Sequence, residues 1–266
     1  MEAPDPVDRL TPIDPSVVLP EAEETEEAVV LTGGRITAGI VRVGETVRRP
    51  ATPASRFVAD LLVLLERGGF DGAPRYLRRE GTTDVLSYLS GEVPARFRTW
   101  SDQQVSAAGS LLRALHDATR NSALAGSFPV VCHHDCGPNN VVFRDGLPYA
   151  FIDFDTAAPG LPLEDVGYMA WTWCIASKDT APAVPDQADQ VRTLVDAYGL
   201  DAHERGELVD AILERQSRNA RFWAEWVPGP CEVQPDEDVI VARIEWSRRE
   251  HAFVDGHRAA FERALI

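Results

Sequence analysis

The sequence predicts an α+β fold of two lobes. A small antiparallel β-rich lobe spans residues 22–91 and a larger, mainly helical lobe spans 92–266, with an acidic tail at 1–21. Three observations predict it. Apart from one helical stretch, the first third holds short apolar runs broken by Gly and Pro. From residue 101 onward, apolar residues recur at three- and four-residue spacing over long segments, the helical period. One hairpin pattern interrupts that helical half: apolar 141–143 and 150–154 flank Asp145-Gly146, a pair suited to a two-residue turn.

The chain has 266 residues, 44% of them hydrophobic, enough for a large core in one domain or two closely packed lobes. No apolar run approaches a membrane span. The start, MEAPDPVDRL, is acidic and Pro-rich, unlike a secretory signal, so a cytoplasmic protein is expected. The four cysteines form no disulfide framework. The net charge is −16; residues 1–27 carry nine acids against Arg9, and their first part is expected to be a mobile tail. The remaining negative charge is spread over the body. It disfavours nucleic acid and favours a cationic small molecule. Lys178 is the only lysine.

In chain order, 28–31 is a short apolar run that Thr32-Gly33-Gly34 breaks. Residues 37–43 alternate as a strand, Gly44-Glu45 turns the chain, and 46–49 is a third strand ended by Pro50 and Pro53. Glycines here either let backbone N–H groups approach a phosphate or serve a hairpin. Residues 54–67 form a helix with an apolar face of Phe57, Leu61, Leu64 and Leu65, closed by Gly68-Gly69. Strands follow at about 75–78 and 84–89. Ser101 with Gln104 makes a capping box for a helix that buries Val105, Ala108, Leu112 and Leu115 and ends near His116-Asp117. After the hairpin, helices run from Glu164-Asp165 through Trp171 and Trp173, over 186–198, from Asp201 to about Trp226, and over 235–264.

The chemistry gathers at the hairpin. Asp153 sits between Ile152 and Phe154 in the second apolar run, where a carboxylate is costly unless it is paired or binds a metal. The loop before the first strand supplies Asp135 and Asn140, so three oxygen-bearing groups are aimed at one point, a set suited to Mg²⁺. Zinc is disfavoured at Cys132-His133-His134-Asp135-Cys136, because neighbours in one tight loop cannot converge tetrahedrally.

His133-x-Asp135-x-x-x-x-Asn140, the hairpin and Phe151-Ile152-Asp153 resemble the catalytic centre of the aminoglycoside phosphotransferase family, relatives of protein kinases. The resemblance implies a two-lobed protein-kinase-like fold and transfer of the γ-phosphoryl group of ATP to a hydroxyl of a small molecule, an aminoglycoside-like antibiotic or a metabolite. Asp135 would be the base, and Asn140 and Asp153 the Mg²⁺ ligands. Gly33 and Gly34 would belong to the phosphate-covering loop. Ser87, Tyr88 and Leu89 would form the hinge that meets adenine, although Tyr88 also reads as a packed aromatic. Asp165 would hold the catalytic loop, and His133 would brace it. Arg48 or Arg49 stands where the family has its strand lysine, and Arg48 is favoured because it follows apolar Val47. Val58 falls near the place of the helix glutamate that pairs with that lysine. Asp155 either approaches a second metal or marks the strand's exit. Trp223, Glu225 and Trp226, with Asp236, Glu237 and Asp238, either face an amine-bearing ligand or pack and solvate the helices. The competing reading is a non-catalytic binding or immunity module on the same fold, because the lysine and its glutamate are absent.

Overall fold

A computed structural model describes residues 28–31, 39–95, 98–227 and 235–266. The acidic tail, Gly33 and Gly34 lie outside the described residues. The N-terminal part is one antiparallel sheet of β1 (Ala28–Val30), β2 (Val41–Val43), β3 (Thr46–Pro50), β4 (Tyr76–Glu80) and β5 (Thr83–Ser87), in the order β1-β2-β3-β5-β4. Between β3 and β4 runs α1 (Ser55–Arg67). It buries Val58, Leu61, Leu62 and Leu65, so its apolar face is rotated slightly from the expected one; Phe57 packs at its margin and Leu64 is half-buried.

The chain leaves β5 and meets the hairpin at once. Glu92 N–H donates to the Phe143 carbonyl at 3.0 Å and the Phe143 N–H to the Glu92 carbonyl at 2.7 Å. The hairpin is β7 (Val141–Arg144) and β8 (Leu147–Phe151), joined by Asp145 at φ 51° and Gly146 at φ 77°. Both turn residues take the positive φ that a two-residue hairpin turn needs. Before it, β6 (Val130–Cys132) pairs with β9 (Ala158–Gly160). This ladder brings together the two ends of the segment that holds the hairpin.

Helices make up the rest: α2 (Asp102–Thr119), α3 (Pro162–Met169) continuing into a π-helical turn over Ala170–Cys174, α4 (Val184–Tyr198), α5 (Ala202–Ala224), α6 (Glu237–Gly256) and α7 (Arg258–Leu265). The Ser101–Gln104 capping box opens α2 as expected. The single helix expected over 235–264 is two. Gly256 is a weak helix former, and His257 turns its ring Nδ1 back onto the Phe253 carbonyl at 2.8 Å. A core of Leu112, Leu115, Phe151, Phe154, Trp171 and Phe261, all buried, joins the hairpin to the helices. No described helix is long and apolar enough to cross a membrane.

Gly109 sets the distance between α2 and α4. A Cβ there would lie 2.7 Å from the Leu194 carbonyl oxygen and 3.3 Å from the Ala197 Cβ. In an isolated helix Gly→Ala stabilises by about 1 kcal/mol. Here the sign reverses: Gly109→Ala is expected to destabilise by roughly 1–3 kcal/mol, because two backbones must separate. Denaturant unfolding checks it, and a variant more stable than the parent would refute the close approach.

Candidate active site

The loop that leaves β6 is pinned from below by one carboxylate. Asp165, fully buried on α3, accepts from the backbone N–H of His133 at 2.6 Å, the backbone N–H of His134 at 2.7 Å and His116 Nε2 at 3.0 Å. His116 Nδ1 faces the Tyr198 hydroxyl at 2.7 Å, so the ring donates to Asp165 and accepts from Tyr198. Burial alone would raise the Asp165 carboxyl. The hydrogen bond from His116 leads the opposing causes, and together they hold the group well below the usual carboxylate range. A folded-state value below the unfolded one means stability fully present above about pH 4 and lost as pH falls below it. Asp165→Asn is therefore expected to lose about 3 kcal/mol near neutral pH. It should also show a shallower fall in melting temperature than the parent between about pH 5 and 2. Parallel acid limbs for the two proteins would remove Asp165 from that account.

His133 braces the loop as expected. Its Nδ1 accepts from the Asp135 N–H at 3.3 Å, its Nε2 donates to the Ile152 carbonyl at 3.1 Å, and its ring lies 4.6 Å from that of Phe154. His134, without a role in the sequence reading, sits at φ 62° with its carbonyl bonded to Arg215 at 2.8 Å. It is the bend that turns the loop over Asp165.

Asp135 is oriented at both oxygens. Asn140 Nδ2 donates to Oδ2 at 2.8 Å and to the Asp135 carbonyl at 2.9 Å, and the Tyr168 hydroxyl donates to Oδ1. Tyr168 went unnoticed in the sequence, yet it follows Asp165 by three positions, on the same face of α3. Asn140 is tied onward to the hairpin, its carbonyl accepting from the Ile152 N–H at 2.9 Å.

Asp153 does not lie inside a strand. β8 stops at Phe151, and Asp153 takes a left-handed conformation, φ 64° and ψ 65°, before a 3₁₀ turn over Phe154–Thr156. That turn aims the carboxylate into the cleft between sheet and hairpin. Half of its side-chain surface, 52%, is open, although protein walls the cleft around it. That walling, then the Asp155 charge, raise its carboxyl above the ordinary range, with Arg49 opposing.

The cation at this point is Arg49, not Arg48. Successive strand residues face opposite sides. Arg48 turns away, pairing with Glu80 at 3.5 Å on a half-exposed surface. Arg49 is 8% exposed; its Nη2 pairs with Asp155 and its Nη1 lies 3.9 Å from Asp153 Oδ1. Val47 shares the face of Arg49, so the apolar neighbour used to favour Arg48 points to the other residue.

The hinge is also altered in detail. The Ser87 N–H donates to the Arg75 carbonyl at 2.9 Å and the Tyr88 N–H to the Glu45 carbonyl at 2.8 Å, so neither is an open donor for a base. The Tyr88 ring lies under the Arg42 guanidinium at 3.7 Å. Ser87 and Leu89 line a cavity of about 100 Å³ behind the hinge, with Leu62, Phe70 and Tyr149.

Trp223 is buried with Arg243 over its ring at 4.1 Å, the packing alternative, while Glu225, Asp236, Glu237 and Asp238 are exposed. His116, Cys132 and Asp165 bring ligand atoms within 4.8 Å of one another. Burial pushes the Cys132 thiol far up, and it donates to the Leu161 carbonyl at 3.3 Å, so the trio is a hydrogen-bonded core cluster. Cys136 and Cys174 are buried free thiols; Cys231 lies outside the described residues.

The donors fit a magnesium nucleotide. Asn140 and Asp153 offer hard oxygens, and the Arg49 guanidinium already stands between Asp153 and Asp155 as a cation.

Known proteins share this frame. The profile of the phosphotransferase enzyme family matches residues 44–209. The trifolitoxin immunity protein of Rhizobium leguminosarum bv. trifolii is 31% identical over 262 residues, covering 90% of this chain and 99% of that protein. Among solved structures, Plasmodium vivax ethanolamine kinase superposes with a TM-score of 0.64 at 12% identity, over 88% of this chain and 83% of the other. The streptomycin-ATP-APH(2")-IIa ternary complex gives 0.54 at 16% identity, over 74% and 84%. The architecture is that of the kinase-like fold, an antiparallel sheet followed by a helical part.

Proposed function

The chain belongs to the phosphotransferase enzyme family, and from that premise we propose that it transfers the γ-phosphoryl group of ATP to a hydroxyl of a small molecule. The observation that carries this reading is Asp135, fixed at both oxygens by Asn140 and Tyr168, in a loop whose His133 is bonded to the Ile152 carbonyl next to Asp153. Asp135 accepts the proton of the acceptor hydroxyl. Asn140 and Asp153 would hold Mg²⁺, which would supply charge neutralisation at the phosphate oxygens. Arg49 contacts phosphate, in the place the sequence reading gave to Arg48. The hinge meets the base from the Tyr88 carbonyl onward to Leu89.

The acceptor class is set by charge. A chain of net charge −16 concentrates cations near its surface, which favours an amine-bearing hydroxyl compound, an aminoglycoside-like antibiotic or an amino alcohol. The streptomycin and ethanolamine in the names of the two neighbours belong to that class. We place the activity in the cytoplasm, where ATP is abundant, and expect a cell carrying the protein to be less susceptible to an antibiotic it modifies. The test is a screen of hydroxylated compounds for Mg²⁺-dependent ADP release. An amine-bearing acceptor is expected among the hits; ADP release that no acceptor stimulates would sink the reading.

A second reading is favoured by one observation, the 31% identical immunity protein. In it the chain protects by binding, using the same cleft without turnover. Asp135→Asn separates the two readings.

A further inference from the structure

Arg49 is a nearly buried cation whose partners come from one side only. The two acids of α1 are placed elsewhere: Asp60 is exposed, and Glu66 pairs with Arg75 at 3.4 Å. Towards Arg49, α1 presents Val58, which lines the same small cavity as Arg49 and Asp155. The cross-strand partner of Arg49 is Asp84. Asp84 is engaged by Arg79 at 2.8 Å and by the Tyr76 hydroxyl at 3.3 Å, and makes no ion pair with Arg49 among the described residues. The carboxylate that holds Arg49 is Asp155, 106 positions along the chain, in the turn that also carries Asp153.

We infer that Asp155 is a positioning residue: it replaces the missing helix carboxylate and aims Arg49 at the nucleotide phosphates. The inference rests on the phosphotransferase reading above. With Nη2 on Asp155, the planar fork is fixed, and Nη1 lies 3.9 Å from Asp153 Oδ1, too far for a hydrogen bond to it. An anion drawn to a cation on Asp153 meets that donor. Because β3 and the hairpin exit belong to different parts of the fold, the pair also ties the sheet to the catalytic segment. A β3–α1 pair would not do this.

The experiment is calorimetric titration of the full chain with ATP and Mg²⁺, and with adenosine as the phosphate-free comparator. The proteins are the parent, Arg49→Met, Asp155→Asn and the double variant. Asp155→Asn is isosteric and keeps the turn. Each single variant is expected to lose ATP affinity by about 10- to 100-fold, the size of a charge-assisted contact. The double variant should bind no more weakly than Arg49→Met alone, and adenosine should bind all four alike. Unchanged ATP affinity in Asp155→Asn overturns the inference. So do losses that multiply in the double variant, which would make Asp155 an independent ligand, and an equal loss for adenosine, which would make the pair only a structural staple. If Asp155→Asn does not fold, Asp155→Glu moves the guanidinium by one methylene and should weaken ATP but not adenosine; a match to the parent overturns the inference. A parent that binds adenosine but not ATP, or no nucleotide at all, refutes the phosphotransferase reading first and this one with it.

Discussion

Asp153→Asn is expected to lose Mg²⁺-dependent ATP binding while keeping its fold. The position explains both halves. Asp153 lies in the left-handed region, φ 64° and ψ 65°, which Asn tolerates better than any residue except Gly. Its side chain is half open to solvent, so no packed contact is lost. What changes is one negative charge on a hard ligand facing the cleft. Partners outside the first shell of a metal change its affinity by about 10- to 100-fold, so losing a ligand charge should cost at least about 100-fold. The Asp155 carboxylate remains, but it is engaged by Arg49 and cannot fully replace the lost ligand. Titration with ATP in the presence and absence of Mg²⁺ reads the effect. Melting curves confirm the fold. A variant that binds ATP as the parent does, with the same dependence on Mg²⁺, would move the metal away from Asp153.

The parts of this site that sequence made legible are the local ones. Asp145-Gly146 demands positive φ at both positions and therefore announces its turn, and the turn fixes where Asn140 and Asp153 come together. Ser101 and Gln104 announce the start of α2 in the same way. Asp165 was legible as the support of the loop after β6 only through the family resemblance, which implies an aspartate with that role at this place. Illegible features depend on contacts across long stretches of chain. Strand alternation separates Arg48 from Arg49, but which face looks into the cleft is decided by where the sheet docks on the hairpin. The partner that settles it, Asp155, is a residue that the sequence reading left as either a second-metal contact or the strand's exit. The engagement of the Ser87 and Tyr88 N–H groups was illegible for a similar reason. Ser87 and Tyr88 are placed by residues of β2–β3 and of the segment before β4, and those carbonyls take their N–H groups. The ladder of β6 with β9 hid behind Pro159, since one short strand containing proline carries no periodic signal.

Asp135→Asn is expected to abolish turnover and leave nucleotide affinity within a few-fold of the parent. In the proposed arrangement Asp135 touches the acceptor hydroxyl and not the nucleotide; the oxygens assigned to the metal come from Asn140 and Asp153. Removing a general base typically costs about 10²- to 10⁴-fold in rate. The local structure tolerates the change, because the Tyr168 hydroxyl still finds an acceptor in the new side-chain carbonyl. The Asn140 Nδ2 keeps its bond to the backbone carbonyl of residue 135 at 2.9 Å, but with the side-chain carbonyl turned to Tyr168 the new amide nitrogen faces it and the bond at Oδ2 is lost. Any stability change should therefore stay near 1 kcal/mol, the scale of one side-chain hydrogen bond. Turnover is read as ADP release with the amine-bearing acceptor found in the screen, and affinity by titration with ATP and Mg²⁺. The contrast between the two measurements carries the meaning. A protein that protects by binding alone has no use for a base, so the immunity reading requires parent and variant to bind their ligand equally and the parent to transfer phosphate to nothing. That pair of results would end the catalytic reading. Loss of turnover with binding retained would end the other.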